Sequence, residues 1–190
     1  TSKSNDYNPN LDQPKLKLDV LEVENCGFTT LIFPLLQQST VTKLFAIEQR
    51  QDRFELNKFL CHHDELKELS ITFDYDYPDF FADGTIECMK FKLRILNVSV
   101  NLWHTKESAK NNLLQFLALH KDSLEELNLI QLDIYLTNDV GTLLNQFSKL
   151  KSIKINCSLP KFTKTENITT VETCLFKKDW IPAQFPCMKT

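Results

Sequence analysis

Metal binding, nucleophilic attack and proton transfer each need particular side chains, and this chain groups such residues at Cys61-His62-His63-Asp64. Zinc takes four tetrahedral ligands, commonly as two separated pairs of Cys or His. No second pair stands at suitable spacing, so no metal site is expected. His104 and His120 flank a segment of helical spacing and read as surface or packing residues. The six cysteines are Cys26, Cys61, Cys88, Cys157, Cys174 and Cys187, and no two have Cys-x-x-Cys spacing. An even count permits disulfides, but a chain of this size does not need them as staples. Reduced, mostly buried thiols are the expectation. A cysteine nucleophile requires an adjacent base, and no Ser/His/Asp set or shared carboxylate pair is visible. With only 3 Gly, no glycine-rich phosphate loop is available. The residue types therefore predict no enzyme, no catalytic residue, no cofactor and no metal.

Charge narrows the partners further. The formal net charge is −3, and the nearest thing to a basic run is Lys177-Lys178. Binding a nucleic-acid backbone needs a focused positive surface, so the expected partner is another protein or a peptide. No apolar run reaches the length of a membrane span, so no membrane is expected either. Reduced thiols and the lack of a visible signal peptide point to the cytoplasm or nucleus. Three Asn-x-Ser/Thr sequons, at Asn97, Asn156 and Asn167, point the other way.

The elements that position any surface follow from a recurring phrase. It reads Leu18-x-x-Leu21-x-Val23, Val41-x-x-Leu44-x-Ala46, Leu66-x-x-Leu69-x-Ile71, Leu93-x-x-Leu96-x-Val98, Leu124-x-x-Leu127-x-Leu129 and Leu150-x-x-Ile153-x-Ile155. The middle apolar residues are 23, 25, 27, 31 and 26 residues apart. Self-similarity at such a period signals a repeat fold. Each phrase alternates and so predicts a short strand. Between phrases, Arg53 to Cys61, Lys106 to Lys121 and Asn138 to Ser148 carry apolar residues at helical spacing. Thr105 and Thr137 are candidate N-caps, and a shorter helical stretch is expected from Thr30 to Gln38. Strand and helix in alternation imply a parallel sheet with right-handed crossovers. The predicted fold is α/β, a leucine-rich-repeat solenoid with its parallel sheet on the concave face and helices on the convex face. Residues 1–13 read as a polar lead-in, 14–175 as about six irregular repeats, and 176–190 as a tail or cap. The phrase Ile168-x-x-Val171-x-Thr173 comes early and polar, as a truncated terminal unit does.

Alternation also predicts which side chains face outward. One row across the sheet is Glu22, Phe45, Ser70, Asn97, Asn128 and Lys154; the next is Glu24, Ile47, Thr72, Ser99, Ile130 and Asn156. Apolar anchors ringed by hydrogen-bonding groups suit a protein interface. A second candidate surface is the loop after the third strand, residues 74–84, with Tyr75, Asp76, Tyr77 and Asp79. Tyrosines give contact area with few rotors, and the acids would complement a basic partner. Trp103, just past the fourth strand, is expected on the same edge.

Two stretches carry a family resemblance. Asn111 to Leu129 reads NNLLQFLALHKDSLEELNL, and Phe59 to Ile71 has the same layout, an apolar helix turning into a Leu-x-x-Leu strand. Both resemble units of F-box proteins whose substrate-binding half is a leucine-rich repeat, over about residues 16–175. The resemblance implies the substrate-receptor part of a Skp–cullin–F-box ubiquitin ligase. An F-box itself, a helical module with an early Leu-Pro, has no match here; under the resemblance it would lie upstream. The other readings are a leucine-rich-repeat adaptor in a nuclear or cytoplasmic complex, and an extracellular leucine-rich-repeat receptor domain.

Overall fold

Leu69 and Ile71 point to one side of their strand and Ser70 and Thr72 to the other, because successive Cβ atoms alternate. The same rule builds seven strands in the computed structural model, which describes residues 16–23, 36–37, 39–48, 53–73, 85–99, 107–130, 137–155, 162–163 and 167–173. They are β1 (Lys17–Val23), β2 (Thr40–Glu48), β3 (Glu68–Phe73), β4 (Ile95–Ser99), β5 (Glu126–Ile130), β6 (Ser152–Ile155) and β7 (Thr170–Thr173). All seven form one sheet in sequence order. Every neighbouring pair is parallel. The protein is thus an α/β structure on a single parallel sheet.

Parallel neighbours need a crossover between them. Among the described residues three crossovers carry α-helices: α1 (Arg53–His62), α2 (Glu107–Leu119) and α3 (Thr137–Leu144). The crossover from β3 to β4 carries a 3₁₀ turn, Ile86–Cys88. Leu56, Phe59 and Leu60 on α1 sit three and four residues apart, as do Leu113, Phe116 and Leu117 on α2. Such spacing makes one apolar stripe per helix. These stripes join Leu44, Leu69, Leu96, Leu127 and Ile153 from the strands in one core cluster. The helices therefore cover one face of the sheet.

One backbone bond recurs from strand to strand at the strand entries. The Lys67 N–H donates to the Thr42 carbonyl at 2.8 Å, Arg94 to Lys67 at 2.7 Å, and Glu125 to Arg94 at 2.8 Å. Lys151 donates to Glu125 and Thr169 to Lys151, each at 2.8 Å. The residue preceding each of these donors is Leu66, Leu93, Leu124, Leu150 or Ile168, and each is buried. The repeated bond holds the register while the crossovers vary in length.

The helix ends differ from the expected ones. α2 stops at Leu119 and α3 at Leu144, short of Lys121 and Ser148. The cause is a tightening of each last turn. His120 N–H bonds the Leu117 carbonyl at 3.0 Å, and Phe147 N–H bonds the Leu144 carbonyl at 3.1 Å, both three residues back. Lys92 Nζ then donates to the freed Leu119 carbonyl at 2.8 Å, a cation at a helix C-terminus. Thr137, expected as a cap, is the first residue of α3 and is buried. Thr105 and most of the stretch from Thr30 to Gln38 lie outside the described residues; Leu36 and Gln37 form a turn. The polar phrase after Ile168 forms a full neighbour strand, with Val171 beside Ile153 and Glu172 beside Lys154.

The expectation of reduced thiols fails at one pair. Cys61, at the end of α1, and Cys88, in the 3₁₀ turn, are joined by a disulfide with Cα atoms 5.2 Å apart. Both stand at the same offset before the middle leucine of the following strand, Leu69 and Leu96. Parallel pairing of Leu69 with Leu96 brings them together. The other four cysteines lie outside the described residues.

Candidate functional site: the open face of the sheet

The face away from the helices has no buried residue among those described. Its central row is set by strand pairing: Glu22 beside Phe45, Phe45 beside Ser70, Ser70 beside Asn97, Asn97 beside Asn128, and Asn128 beside Lys154. These are the six residues of the first expected row. In the second row Ile47, Thr72, Ser99 and Ile130 are likewise neighbours. Glu24 and Asn156, at the ends of that row, lie outside the described residues, as do Tyr75, Asp76, Tyr77, Asp79 and Trp103.

A third row is missing from the two expected ones. Val20, Lys43, Glu68, Ile95, Glu126 and Ser152 are paired in turn and face the same way. Each immediately precedes the middle apolar residue of its phrase, so the sequence does carry the signal. Val20, at 44% exposure, is the most exposed large apolar side chain described; Phe45 and Ile130 follow at 38% and 36% on this face.

Two adjoining depressions lie between the rows. One, of about 290 Å³, is lined by Glu22, Phe45, Ile47, Ser70 and Thr72. The other, of about 270 Å³, is lined by Ser70, Thr72, Asn97, Ser99, Asn128 and Ile130. They share Ser70 and Thr72, so they form one trough running across the strands. Its middle is hydroxyl and amide; Phe45 and Ile47 stand with Glu22 at one end, and Ile130 with Asn128 at the other. The Asn128 Oδ1 is buried with no hydrogen-bond partner among the described residues.

Ion pairs surround the trough. Lys43 Nζ meets Glu68 Oε1 at 3.1 Å, and Lys154 Nζ meets Glu172 Oε2 at 2.8 Å. At the strand entries Glu125 takes Arg94 Nε on one oxygen and Lys151 Nζ on the other, each at 2.9 Å. The hydrogen bonds from Arg94 and Lys151 lower the Glu125 carboxyl to about 2. The same pairing raises Arg94 above its ordinary value. Glu22 and Glu126 are in no ion pair among the described residues.

The cluster Cys61-His62-His63-Asp64 spreads apart. Cys61 bonds Cys88, His62 Nδ1 bonds the Lys58 carbonyl at 2.7 Å, and His63 turns into the core. His63 stacks on Phe59 with ring centroids 3.6 Å apart. Its Nδ1 bonds the Phe59 carbonyl at 2.8 Å, and burial lowers its pKa. His120, 0% exposed, stacks on Phe91 at 5.4 Å and meets Phe116 edge-on at 4.8 Å. Its Nδ1 accepts the Leu93 N–H at 3.4 Å, so the ring is neutral. Desolvation, with a smaller push from Lys92, lowers it to about 3. Both histidines are thus packing residues after a helix, at the place Phe147 fills after α3. Among the described residues no group of three His, Cys, Asp or Glu could hold a metal.

No family model, curated protein or solved structure matches the chain. No described helix is long and apolar enough to cross a membrane.

Proposed function

We propose that the chain is a leucine-rich-repeat solenoid acting as a non-catalytic protein-recognition module, with the open sheet face as its contact surface. The observation that carries this reading is the unbroken register of the outward rows. Seven parallel strands in chain order set exposed Phe45 and Ile130 around Ser70, Asn97 and Asn128. A face of apolar anchors among hydrogen-bonding groups suits a protein partner. The recurring strand-entry bond and the 18- to 31-residue spacing of paired middle residues from Leu21 to Val171 support the repeat assignment. Its most concrete form is the substrate-binding part of an F-box-type ubiquitin ligase receptor in the cytoplasm or nucleus, supported by the resemblance of residues 59–71 and 111–129. A leucine-rich-repeat adaptor without a ligase link uses the same face.

The test is affinity capture with the wild type, with Ser70→Arg/Asn97→Arg, and with Thr142→Arg on the helix side. Partners retained by the wild type and by Thr142→Arg, but lost by the face variant, support the reading. Equal retention by all three removes the open face from recognition. Recovery of ligase subunits with the protein carrying its native flanking sequence would single out the F-box form.

One observation favours a second reading, an extracellular recognition domain. Disulfides persist in oxidising compartments, and Cys61–Cys88 is such a bond. Asn167, in the sequon Asn167-Ile168-Thr169, is exposed. Glycan on Asn167 in protein from its native source would favour this reading over the intracellular one.

A further inference from the structure

The sheet ends differently at β1 from anywhere inside it. β1 pairs with β2 alone. Leu18 and Leu21 are only partly buried, whereas Val41 and Leu44 beside them are 0% exposed. Leu16 and Val20 are 43% and 44% exposed. The backbone is open there too. Inside the sheet, two consecutive N–H groups reach one carbonyl at the entry of the preceding strand. Arg94 and Ile95 reach Lys67, Glu125 and Glu126 reach Arg94, and Lys151 and Ser152 reach Glu125. Each donor pair follows the first apolar residue of its phrase. The same places in β1 are Asp19 and Val20, after Leu18, and they have no preceding strand among the described residues. An edge with open donors and half-covered leucines takes up one more strand.

Charge selects which strand. Stacking β7 of one copy on β1 of another would continue the parallel order, but it sets Glu172 beside the partner's Glu22, because both belong to the row that holds Lys154. Like charges placed opposite each other destabilise a sheet. Antiparallel pairing of β1 with its own copy does the reverse. In a regular strand, a two-fold axis normal to the sheet sets a residue opposite itself. β1 breaks that rule between Leu18 and Leu21, which are three apart yet both pack on the core, and the paired outward N–H groups of Asp19 and Val20 lie at the break. An axis between Asp19 and Val20 then sets Lys17 opposite the partner's Glu22, Leu18 opposite the partner's Leu21 and Leu16 opposite the partner's Val23. Lys17 exchanges both backbone bonds with the partner's Glu22, and the Asp19 N–H meets the partner's Val20 carbonyl. By symmetry every contact occurs twice. Lys17 and Glu22 are exposed and in no ion pair among the described residues. We infer that β1 is the interface of an isologous dimer, in which two copies join their sheets antiparallel through two Lys17–Glu22 pairs and two Leu18–Leu21 pairs. The axis leaves both open faces on the same side of the joined sheet.

Sedimentation equilibrium of the full chain over a concentration series tests this. The wild type should fit a monomer–dimer equilibrium. Lys17→Glu and Glu22→Lys, each alone, should weaken the dimer at least about tenfold, because two attractive pairs become repulsive. An equimolar mixture of the two variants should dimerise as the wild type does, since each pair then joins opposite charges again. Thermal melting verifies that the variants fold. If either reversal does not fold, Lys17→Gln and Glu22→Gln replace them, and each should weaken the dimer. A wild type that stays monomeric, open-ended growth into larger species, or a dimer indifferent to both substitutions overturns the inference. So does a mixture of the reversals no tighter than either alone. A monomer that captures another protein and loses it on Val20→Lys would give the edge to that protein and equally overturn the dimer.

Discussion

Leu96 and Val98 on β4 are sealed, while Ile95, Asn97 and Ser99 on the same five residues are only partly buried. The contrast repeats on β5, where Leu127 and Leu129 are buried and Glu126 and Ile130 exposed. The two faces of the sheet differ in what constrains them. On the helix side the two central rows from β1 to β6 are apolar throughout, Leu or Ile in one and Val, Ala, Ile or Leu in the other. On the open side adjacent positions hold Phe, Ser, Asn and Asn in one row. Folding fixes the first set by volume and leaves the second free to differ along the row. The open side is therefore the one that the proposed recognition would use.

The two faces separate most sharply at β4. Leu96→Ala should cost about 3 kcal/mol, the usual penalty for a cavity left by a buried leucine. Asn97→Ala, one residue away, should change stability by no more than about 0.5 kcal/mol. Urea denaturation of the two variants reads both, and equal losses would mean that the open face is structural.

A smaller effect comes from the histidine that the helix side buries. The His120 ring is neutral in the folded protein, with its pKa lowered from 6.5 to about 3. Between those values the unfolded chain binds the extra proton, so stability falls as pH falls. The contribution is fully present above pH 6.5 and is lost on acidification, by about 2 kcal/mol between pH 7 and 5. His63, also lowered, acts in the same direction. His120→Phe should flatten the slope of denaturation midpoint against pH in that window. An unaltered slope would show that His120 does not titrate there.

The weakest effect sits at the strand entries. Glu125→Gln removes the charge that Arg94 and Lys151 share, on a carboxylate at the surface. Such pairs contribute little and are screened by salt. The variant should be slightly less stable at low salt and match the wild type at 1 M NaCl. A loss that persists in high salt would mean the bridge acts by geometry rather than by charge.

Much of the open face is legible in the amino-acid sequence. Strand alternation places Glu22, Phe45, Ser70, Asn97, Asn128 and Lys154 in one row because a period of two leaves no freedom once the leucines face inward. The row of Val20, Lys43, Glu68 and Glu126 obeys the same rule one step earlier, but its charges make it resemble a merely solvated edge. Helix ends are harder to read because the i→i−3 turns at His120 and Phe147 depend on packing, not on a cap residue. The Cys61–Cys88 bond is hidden among the 15 pairings that six cysteines allow. It becomes visible when β3 and β4 are aligned at Leu69 and Leu96. His120 reads as a surface or packing residue in sequence; that it and His63 pack against phenylalanines four residues back appears only in three dimensions.

Strand order has a mechanical consequence. Each strand holds only its chain neighbours, so force applied at Lys17 and Thr173 would peel the sheet from its ends, one strand after another. The disulfide alters that sequence. Its 27-residue separation encloses the whole of β3, so about 90 Å of extended chain stays hidden between Cys61 and Cys88 while the bond is intact. Adding reductant would lengthen the pulled molecule by roughly that amount, locating β3 on the extension trace.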